Sequence, residues 1–552
     1  MRKNRAPEGK CGSARLTATA LILVIAFSIG VTSILPATAS SEPGGTPLSD
    51  RFGVAESHLK LHDAATMDKE LSETAEAGIG WIRIDFAWPD LEPQPGAWDF
   101  AGSDMAVEKA RSRGIKILGI LGGTPPWANG DKTMNVPPTD VEALKRYAST
   151  VSARYRARVS AWELWNEENT YSFWAPPNAD AYVALMRPVA STIRAADPAA
   201  TIVLGGIAGL DPSFLEGCLK AGAADFVDAI AYHPYPETLQ FLNYTPQESN
   251  SRFIVDFIRW MLSKYTTKPI QIWITEVGWT TCTYFPPGVD EATQATNMLR
   301  SLINYAGTSA DKVFWYCLWD EQQNPGYSEA NYGLLSNSFA RKPSWHYYKR
   351  FQESFGTAVS KSEGVVSFSC SRPGTLEAHA YELPDGSIAI AAWKSDDRAD
   401  SLELTVLGKE YSDPLAVDLA TGRASAVQEV MRGTDGNTVV SGLAVGKTPL
   451  ILKVSNNSCR VASITPGRAN QFTFYVSAEL SGSGFQPGAT VRLEKGGGSI
   501  QTWNVKVASA SKLTCNLGFF LVDPGTYDAV VLNRDGSGGR LAGAVEVKHL
   551  WW

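Results

Sequence analysis

Residues 159–169 read Val-Ser-Ala-Trp-Glu-Leu-Trp-Asn-Glu-Glu-Asn. The run Val159–Trp165 has the length and apolar content of a buried strand, and it breaks off at once into Asn166, Glu167 and Glu168. Strands of a parallel α/β sheet look like this, because both of their faces are covered and their polar work is done where they emerge.

The same unit recurs on either side. Apolar runs are expected as strands at Arg51–Ala55, Trp81–Phe86, Ile115–Leu121, Val159–Trp165, Thr201–Gly205, Val227–Tyr232, Ile270–Thr275 and Lys312–Trp319. Between them, 3.6-residue periodicity predicts helices near 66–77, 103–113, 139–156, 179–196, 212–221, 250–264, 291–305 and 343–353. Eight βα units over residues 48–357 have the size and rhythm of a (β/α)₈ TIM barrel. The competing open, doubly wound sheet would place a Gly-rich phosphate turn after its first strand. Glu56-Ser57-His58 stands there instead.

Helical patterns stop near Phe355, and the chain becomes alternating and turn-rich. Leu383-Pro-Asp385-Gly386 followed by Ile388–Trp393, and Leu402–Val406, predict a β-sandwich over 360–457. A further β-region spans 459–552. Its segments Ile464-Thr-Pro466, Ser481–Val491, Pro524–Tyr527 and Asn533–Gly536 resemble the TIG/IPT immunoglobulin-like family, whose modules serve most often as spacers or stabilising modules, with glycan binding as the alternative role. The expected architecture is α/β, a barrel followed by two β-sandwich domains.

Composition limits the function classes. The chain has 552 residues, 44% of them apolar, and a net charge of −7 without a basic cluster, so a nucleic-acid partner is excluded. Arg2, Lys3, Arg5, Lys10 and Arg15 precede an apolar run, Ala20–Leu35, and then Pro36-Ala37-Thr38-Ala39, which has the small-x-small form of a cleavage site. A signal peptide over 1–39 is expected, and with it a secreted or cell-surface protein. Cys370 and Cys459 bracket one β-rich stretch and are the first guess for a disulfide, whereas Cys317 is expected as a buried thiol. The histidine and cysteine spacings do not suggest zinc; His58 and His62 are read as surface residues, not ligands. No cofactor is implied.

Barrel active sites lie at the C-terminal strand ends. Here those ends read Arg83-Ile-Asp85-Phe-Ala-Trp88, Pro125-Pro126-Trp127, Trp165-Asn166-Glu167-Glu168, Tyr232-His233-Pro234-Tyr235, Thr275-Glu276-Val277-Gly278-Trp279 and Trp319-Asp320-Glu321. Carboxylates after the fourth and seventh strands fit glycoside hydrolysis, which needs a proton donor for the leaving oxygen and a second carboxylate at the anomeric carbon. An eight-strand ring of radius about 7.5 Å leaves about 6 Å between two inward glutamates three strands apart. That lies between the retaining and inverting separations. Glu163 is read as a buried ion-pair partner, Asp85 and Asp320 as either substrate ligands or loop-fixing groups, and Trp162 and Trp165 as core. Trp88, Trp127 and Trp279, just past strand ends, are read as sugar contacts.

Trp165-Asn166-Glu167, His233-Pro-Tyr235 and Ile274-Thr275-Glu276, in that order, resemble the clan A glycoside hydrolases and among them most resemble family 39. The resemblance implies a retaining mechanism on an oligo- or polysaccharide, with Glu167 as general acid/base and Glu276 as nucleophile. It further implies that Asn166 bonds the sugar 2-hydroxyl, that Tyr235 bonds the nucleophile and Arg83 keeps it ionised, and that Trp319 floors the subsite of the reacting sugar. The family often carries proline after the acid/base glutamate, where this sequence has Glu168. A catalytically silent glycan-binding surface protein and a transglycosylase are the alternative readings. Exo or endo action would depend on the loops Glu237–Asn250 and Thr281–Asp290.

Overall fold

The structure is a computed structural model describing residues 48–549 except 210, 236–250, 284–287, 321–325, 357–359, 362–363, 384–386, 397, 409–410, 412–413, 428, 434–435, 456–458, 497, 521 and 534–537. The expected signal segment, the loop 237–250 and Glu321 lie outside the described residues.

Strands β1 (Phe52–Ala55), β2 (Trp81–Asp85), β3 (Lys116–Leu121), β4 (Ala161–Asn166), β5 (Thr201–Ala208), β6 (Ala229–His233), β7 (Gln271–Val277) and β8 (Lys312–Tyr316) close into one barrel in sequence order. All neighbouring pairs are parallel, β8 with β1 included. Helices alternate with the strands, and several start where a short acid or amide caps the first turn. Asp63 accepts from Thr66 N ahead of Ala64–Glu76, Asn178 from Ala181 N ahead of Ala179–Ala196, and Asp290 from Thr293 N ahead of Glu291–Ala306. Burial of each helix's apolar face against the strands does the rest.

The lower barrel is filled by Trp81, Leu118, Ala161, Val203, Trp273 and Phe314, with Trp81 edge-on to Trp273 at 5.6 Å. Above this apolar plug the interior turns polar, with Arg83, Glu163 and Thr275 wholly buried. Two strands depart there from simple alternation. The β7–β8 register slips between Ile274 and Val277. The slip accounts for two consecutive residues, Thr275 and Glu276, both bonding groups inside the barrel. At the end of β4, Trp165 (φ 82°) and Glu167 (φ 47°) take left-handed backbone conformations, uncommon for residues with a Cβ.

Beyond the barrel, sheets that are antiparallel except where Arg468–Asn470 pairs parallel with Gly538–Lys548 pack in pairs, as the expected sandwiches require. In the first pair, the strand Ile388–Lys394 is buried on both faces. Ile388, Ile390 and Ala392 join the sandwich core, while Ala389, Ala391 and Trp393 join the barrel's core. Arg300, on a barrel helix, donates to Lys394 O at 2.8 Å across that contact. A second pair, of four and five strands, encloses Leu480, Leu493, Leu513, Leu517 and Phe519. Cys370 and Cys459 do not form the disulfide guessed from sequence: both are thiols. Cys370 Sγ lies 3.7 Å from Lys394 Nζ, whereas Cys459 is packed in the core of the second pair, so the two belong to different sandwiches. Cys317 is a buried thiol, as expected.

Candidate active site

A cavity of about 600 Å³ opens at the C-terminal ends of the strands. Glu167, Glu276, Asn166, Tyr235 and Trp319, singled out from sequence, line it together with Asp85.

Arg83 organises its floor. From the middle of β2 its guanidinium donates to Glu163 Oε2 (2.6 Å), Glu276 Oε1 (2.5 Å) and Asn166 Oδ1 (2.7 Å). Burial alone would push this guanidinium's pKa down, but the Glu163 and Glu276 carboxylates reverse that and hold it protonated. Glu163 is thus the buried ion-pair partner expected; its other oxygen accepts from Thr275 Oγ1 at 3.0 Å. Tyr235 Oη donates to Glu276 Oε2 at 2.6 Å. Burial would raise the Glu276 carboxyl, but His233 and Arg83 nearby, with hydrogen bonds from Tyr235 and Arg83, hold it below the usual range. Glu276 is therefore a desolvated carboxylate kept charged.

Glu167 is placed differently. It lines the cavity with 19% of its side chain exposed, and it touches the wholly buried His233, whose Nδ1 lies 3.0 Å from Glu167 Oε1. His233 Nε2 pairs with Thr275 Oγ1 at 2.9 Å, which fixes the ring. The ring fits because β5 has no side chain beside it: a Cβ on Gly206 would fall 2.0 Å from His233 Nε2. The strained turn is tied down by Glu167 N donating to Gly206 O (2.9 Å) and Asn169 Nδ2 to Ala208 O (3.0 Å). Donor atoms of Glu167, His233 and Glu276 all lie within 4.8 Å of one another. Such spacing would accommodate a metal ion, and it equally suits two carboxyl groups working on one bond.

Glu168, where the family often has proline, does not reach the cavity. It is wholly buried, and neither carboxyl oxygen has a hydrogen-bond partner among the described residues. Burial, reinforced by Glu163 and Glu167, pushes its pKa up to about 8. It is a neutral acid packed behind the site.

The structure corrects the reading of three tryptophans. Trp88 is fully buried in the short helix Trp88–Leu91, stacked on Tyr147 at 5.1 Å and donating to Glu92. Trp127 stands edge-on to Trp88 at 5.3 Å, its indole bonded to Glu92 O. Trp279 stacks on Trp315 within the core. Trp88 and Trp279 are covered in the core more fully than a rim position would allow, and Trp127 lies half-buried against that core, away from the cavity lining. Trp319 does face the cavity, backed by Phe339 at 4.4 Å, and its Nε1 has no partner among the described residues. Trp165 is core, as expected, yet one side of it also lines the cavity. Asp320 is a loop-fixing group: it accepts from Gly333 N (2.7 Å) and pairs with Lys342 at 3.0 Å. His58, read as a surface residue, lines the cavity; His62 pairs with Glu70 at 2.9 Å.

Sequence reasoning missed Glu329, Tyr316, Tyr327, Tyr332 and Phe173, all of which line the cavity. Glu329 sits on the turn Ser328–Asn331 after β8. Its carboxyl is raised by burial and by repulsion from Glu276. Nothing in its local sequence separates it from an ordinary loop acid.

Residues 48–322 match the family model of Cellulase (glycosyl hydrolase family 5). The barrel belongs to the clan A glycoside hydrolases. Among curated proteins, the chain is 23% identical to a β-xylosidase of Geobacillus stearothermophilus over 317 residues, covering 52% of this chain and 62% of that one. It is 30% identical to a β-galactosidase of Haloferax lucentense over 125 residues, 18% of this chain and 19% of that one. It thus spans less than two thirds of either relative. Among solved structures, a family 39 glycoside hydrolase from Bacteroides cellulosilyticus aligns at TM-score 0.61 and 22% identity, over 74% of this chain and 81% of that one. A monomeric β-xylosidase from Caulobacter crescentus aligns at 0.54 and 17%, over 74% and 97%. At such identities these two likenesses speak for the fold.

Proposed function

We propose that this clan A barrel hydrolyses β-glycosidic bonds in oligo- or polysaccharides with retention of anomeric configuration. Glu167 protonates the leaving glycosidic oxygen while Glu276 attacks the anomeric carbon, breaking the C–O bond and forming a glycosyl ester. Glu167, now a carboxylate, takes a proton from water as that water attacks the anomeric carbon from the face the leaving group vacated and breaks its bond to Glu276. Asn166 meets the sugar 2-hydroxyl and Trp319 floors the subsite of the reacting ring.

One observation carries the reading: the closest oxygens of Glu167 and Glu276 are within 4.8 Å, and only Glu276 is held anionic by Arg83 and Tyr235. Inversion needs carboxyl groups roughly 6.5–9.5 Å apart to admit a water, whereas retention uses roughly 5–5.5 Å. The lining includes Glu56, Asp85 and Glu329 and no lysine or arginine among the described residues, which favours neutral over anionic sugars. The N-terminal pattern Ala37-Thr38-Ala39 adds export to the proposal.

The test is stereochemical. Proton NMR of the first-formed sugar, before mutarotation, should show the configuration of the bond cleaved. An inverted product would make Glu276 a base acting on water and would remove the roles given to Tyr235 and Arg83.

A further inference from the structure

The second sandwich carries an aromatic surface far in sequence from the barrel residues. Phe474, Tyr475, Phe520, Phe472 and Trp503 are 76%, 63%, 50%, 45% and 43% exposed. Phe474 stacks on Phe520 at 5.0 Å and 13°, Phe472 meets Phe520 edge-on at 6.1 Å, and Tyr475 meets Trp503 at 6.5 Å. Single exposed rings are ordinary; five on adjoining segments, in two groups of touching rings, mark a binding surface.

The surface is held in shape. It is built from the turn after the strand Arg468–Asn470, the start of Trp503–Ser509 and the segment following Lys512–Leu517. Phe472 N donates to Phe519 O (3.0 Å) and Phe519 N to Thr473 O (2.9 Å), so two of these segments are pinned to each other. Phe472 (φ 72°) adopts the left-handed conformation that an aromatic residue in particular avoids, and Asn504 (φ 54°), next to Trp503, takes the same conformation as asparagine readily does. A Cβ on Gly518 would lie 3.0 Å from the Trp503 ring and 3.1 Å from Phe474 O, so the glycine lets the Trp503 ring lie against the turn. Strain kept in order to present rings outward is a functional signature.

The chemistry around the rings selects the ligand. Residues 470–475, 502–505 and 515–520 contain no charged side chain. Beside the rings they carry Asn470, Gln471, Thr473, Asn504 and Asn516, whereas the Thr502 hydroxyl is turned inward onto Val491 O. An anionic lipid surface is drawn by clustered lysine and arginine, which these segments lack. Rings interleaved with neutral amides and hydroxyls match the amphipathic pyranose of an uncharged polysaccharide: its C–H face lies on a ring and its hydroxyls exchange hydrogen bonds with the amides.

We infer that the Phe472–Tyr475, Trp503 and Phe520 surface is a binding platform for a neutral polysaccharide chain, separate from the barrel cavity. The platform goes beyond the proposed hydrolase activity and shares with it only the ligand class.

The test uses the full chain carrying Glu276→Ala, so that the polymer is not consumed, with and without Phe474→Ala/Trp503→Ala/Phe520→Ala. Co-sedimentation with insoluble cellulose, xylan and mannan should retain the parent, and the triple variant should bind the retained polymer at least tenfold more weakly. In the otherwise native chain, the triple variant should hydrolyse a small soluble aryl glycoside within twofold of the parent rate. Single Phe474→Ala, at the most exposed ring, keeps the comparison available if the triple variant unfolds early. Equal retention of parent and variants, or no retention of the parent on any of the three polymers, overturns the platform. So does ring-dependent sedimentation with neutral phosphatidylcholine vesicles without polysaccharide binding, or a dimer that the substitutions dissolve. A native chain that hydrolyses no glycoside or polymer, with the Glu276→Ala chain still binding polymer through these rings, would sink the hydrolase reading and leave the platform standing.

Discussion

Oε1 of Glu276 lies 2.5 Å from Nη1 of Arg83, two side chains 193 residues apart in sequence and both deep in the barrel. The guanidinium is itself fully buried, so the carboxylate's charge is balanced inside protein and not by solvent. A buried carboxylate left alone would take up a proton; this one has a cation on one oxygen and a phenol on the other.

Tyr235→Phe removes one support while keeping the ring. Glu276 loses a hydrogen bond to its charged form, so its pKa rises and the acid limb of the pH–kcat/KM profile moves to higher pH. A hydrogen bond to a charged group contributes about 1.5–3 kcal/mol, so a shift of about one to two pH units and a drop of roughly tenfold or more in kcat are expected. An unmoved acid limb would separate Tyr235 from the nucleophile's ionisation.

Glu167→Ala and Glu168→Ala should behave differently. Glu167 faces the cavity, so its loss should slow substrates with poor leaving groups by about 10²–10⁴-fold and spare those with good ones. Glu168 has no access to substrate, and its loss should give no such leaving-group dependence. Rates across a series of aryl glycosides check this, and the opposite pattern would move the acid by one residue.

Glu168 should make stability depend on pH. Its carboxyl is raised to about 8 by burial, so between the ordinary 4.5 and about 8 the folded protein keeps a proton that the unfolded chain has released. Its contribution to stability therefore falls as pH rises through that window, at about 1.4 kcal/mol per pH unit, and levels off above it. Glu168→Gln removes the dependence, so the Tm difference between variant and parent should move in the variant's favour from pH 5 to pH 8. A difference that stays constant would mean that Glu168 ionises normally.

Material exported by a host that processes signal peptides should begin near Ser40. Edman sequencing or intact mass reads this directly, and an exported chain that retains Met1 would contradict cleavage after Ala39.

Much of the scaffold was legible in the residues alone. Eight apolar runs alternating with 3.6-period segments give the barrel because both periodicities are local, and the polar residues closing each run mark the rim. Glu167 and Glu276 stand out because they follow the fourth and seventh of those runs, and ring geometry then brings them close. The buried pairing of Glu163 was likewise written into a charged residue in the middle of a strand.

Direction at the rim was decided only in three dimensions. Alternation along β4 would send Asn166 away from the interior, yet it accepts from Arg83 because Trp165 and Glu167 turn through left-handed conformations. Thr275 and Glu276 both reach inward because the β7–β8 register slips beside them. Trp88 and Trp279 leave the rim for the core because Tyr147 and Trp315, on other elements, offer faces to stack on. Glu329 enters the cavity from a turn after the last barrel strand. Periodicity fixes which face of a strand a side chain takes. Past the strand's end, that choice passes to backbone dihedrals and to neighbours remote in sequence, which only the folded chain brings together.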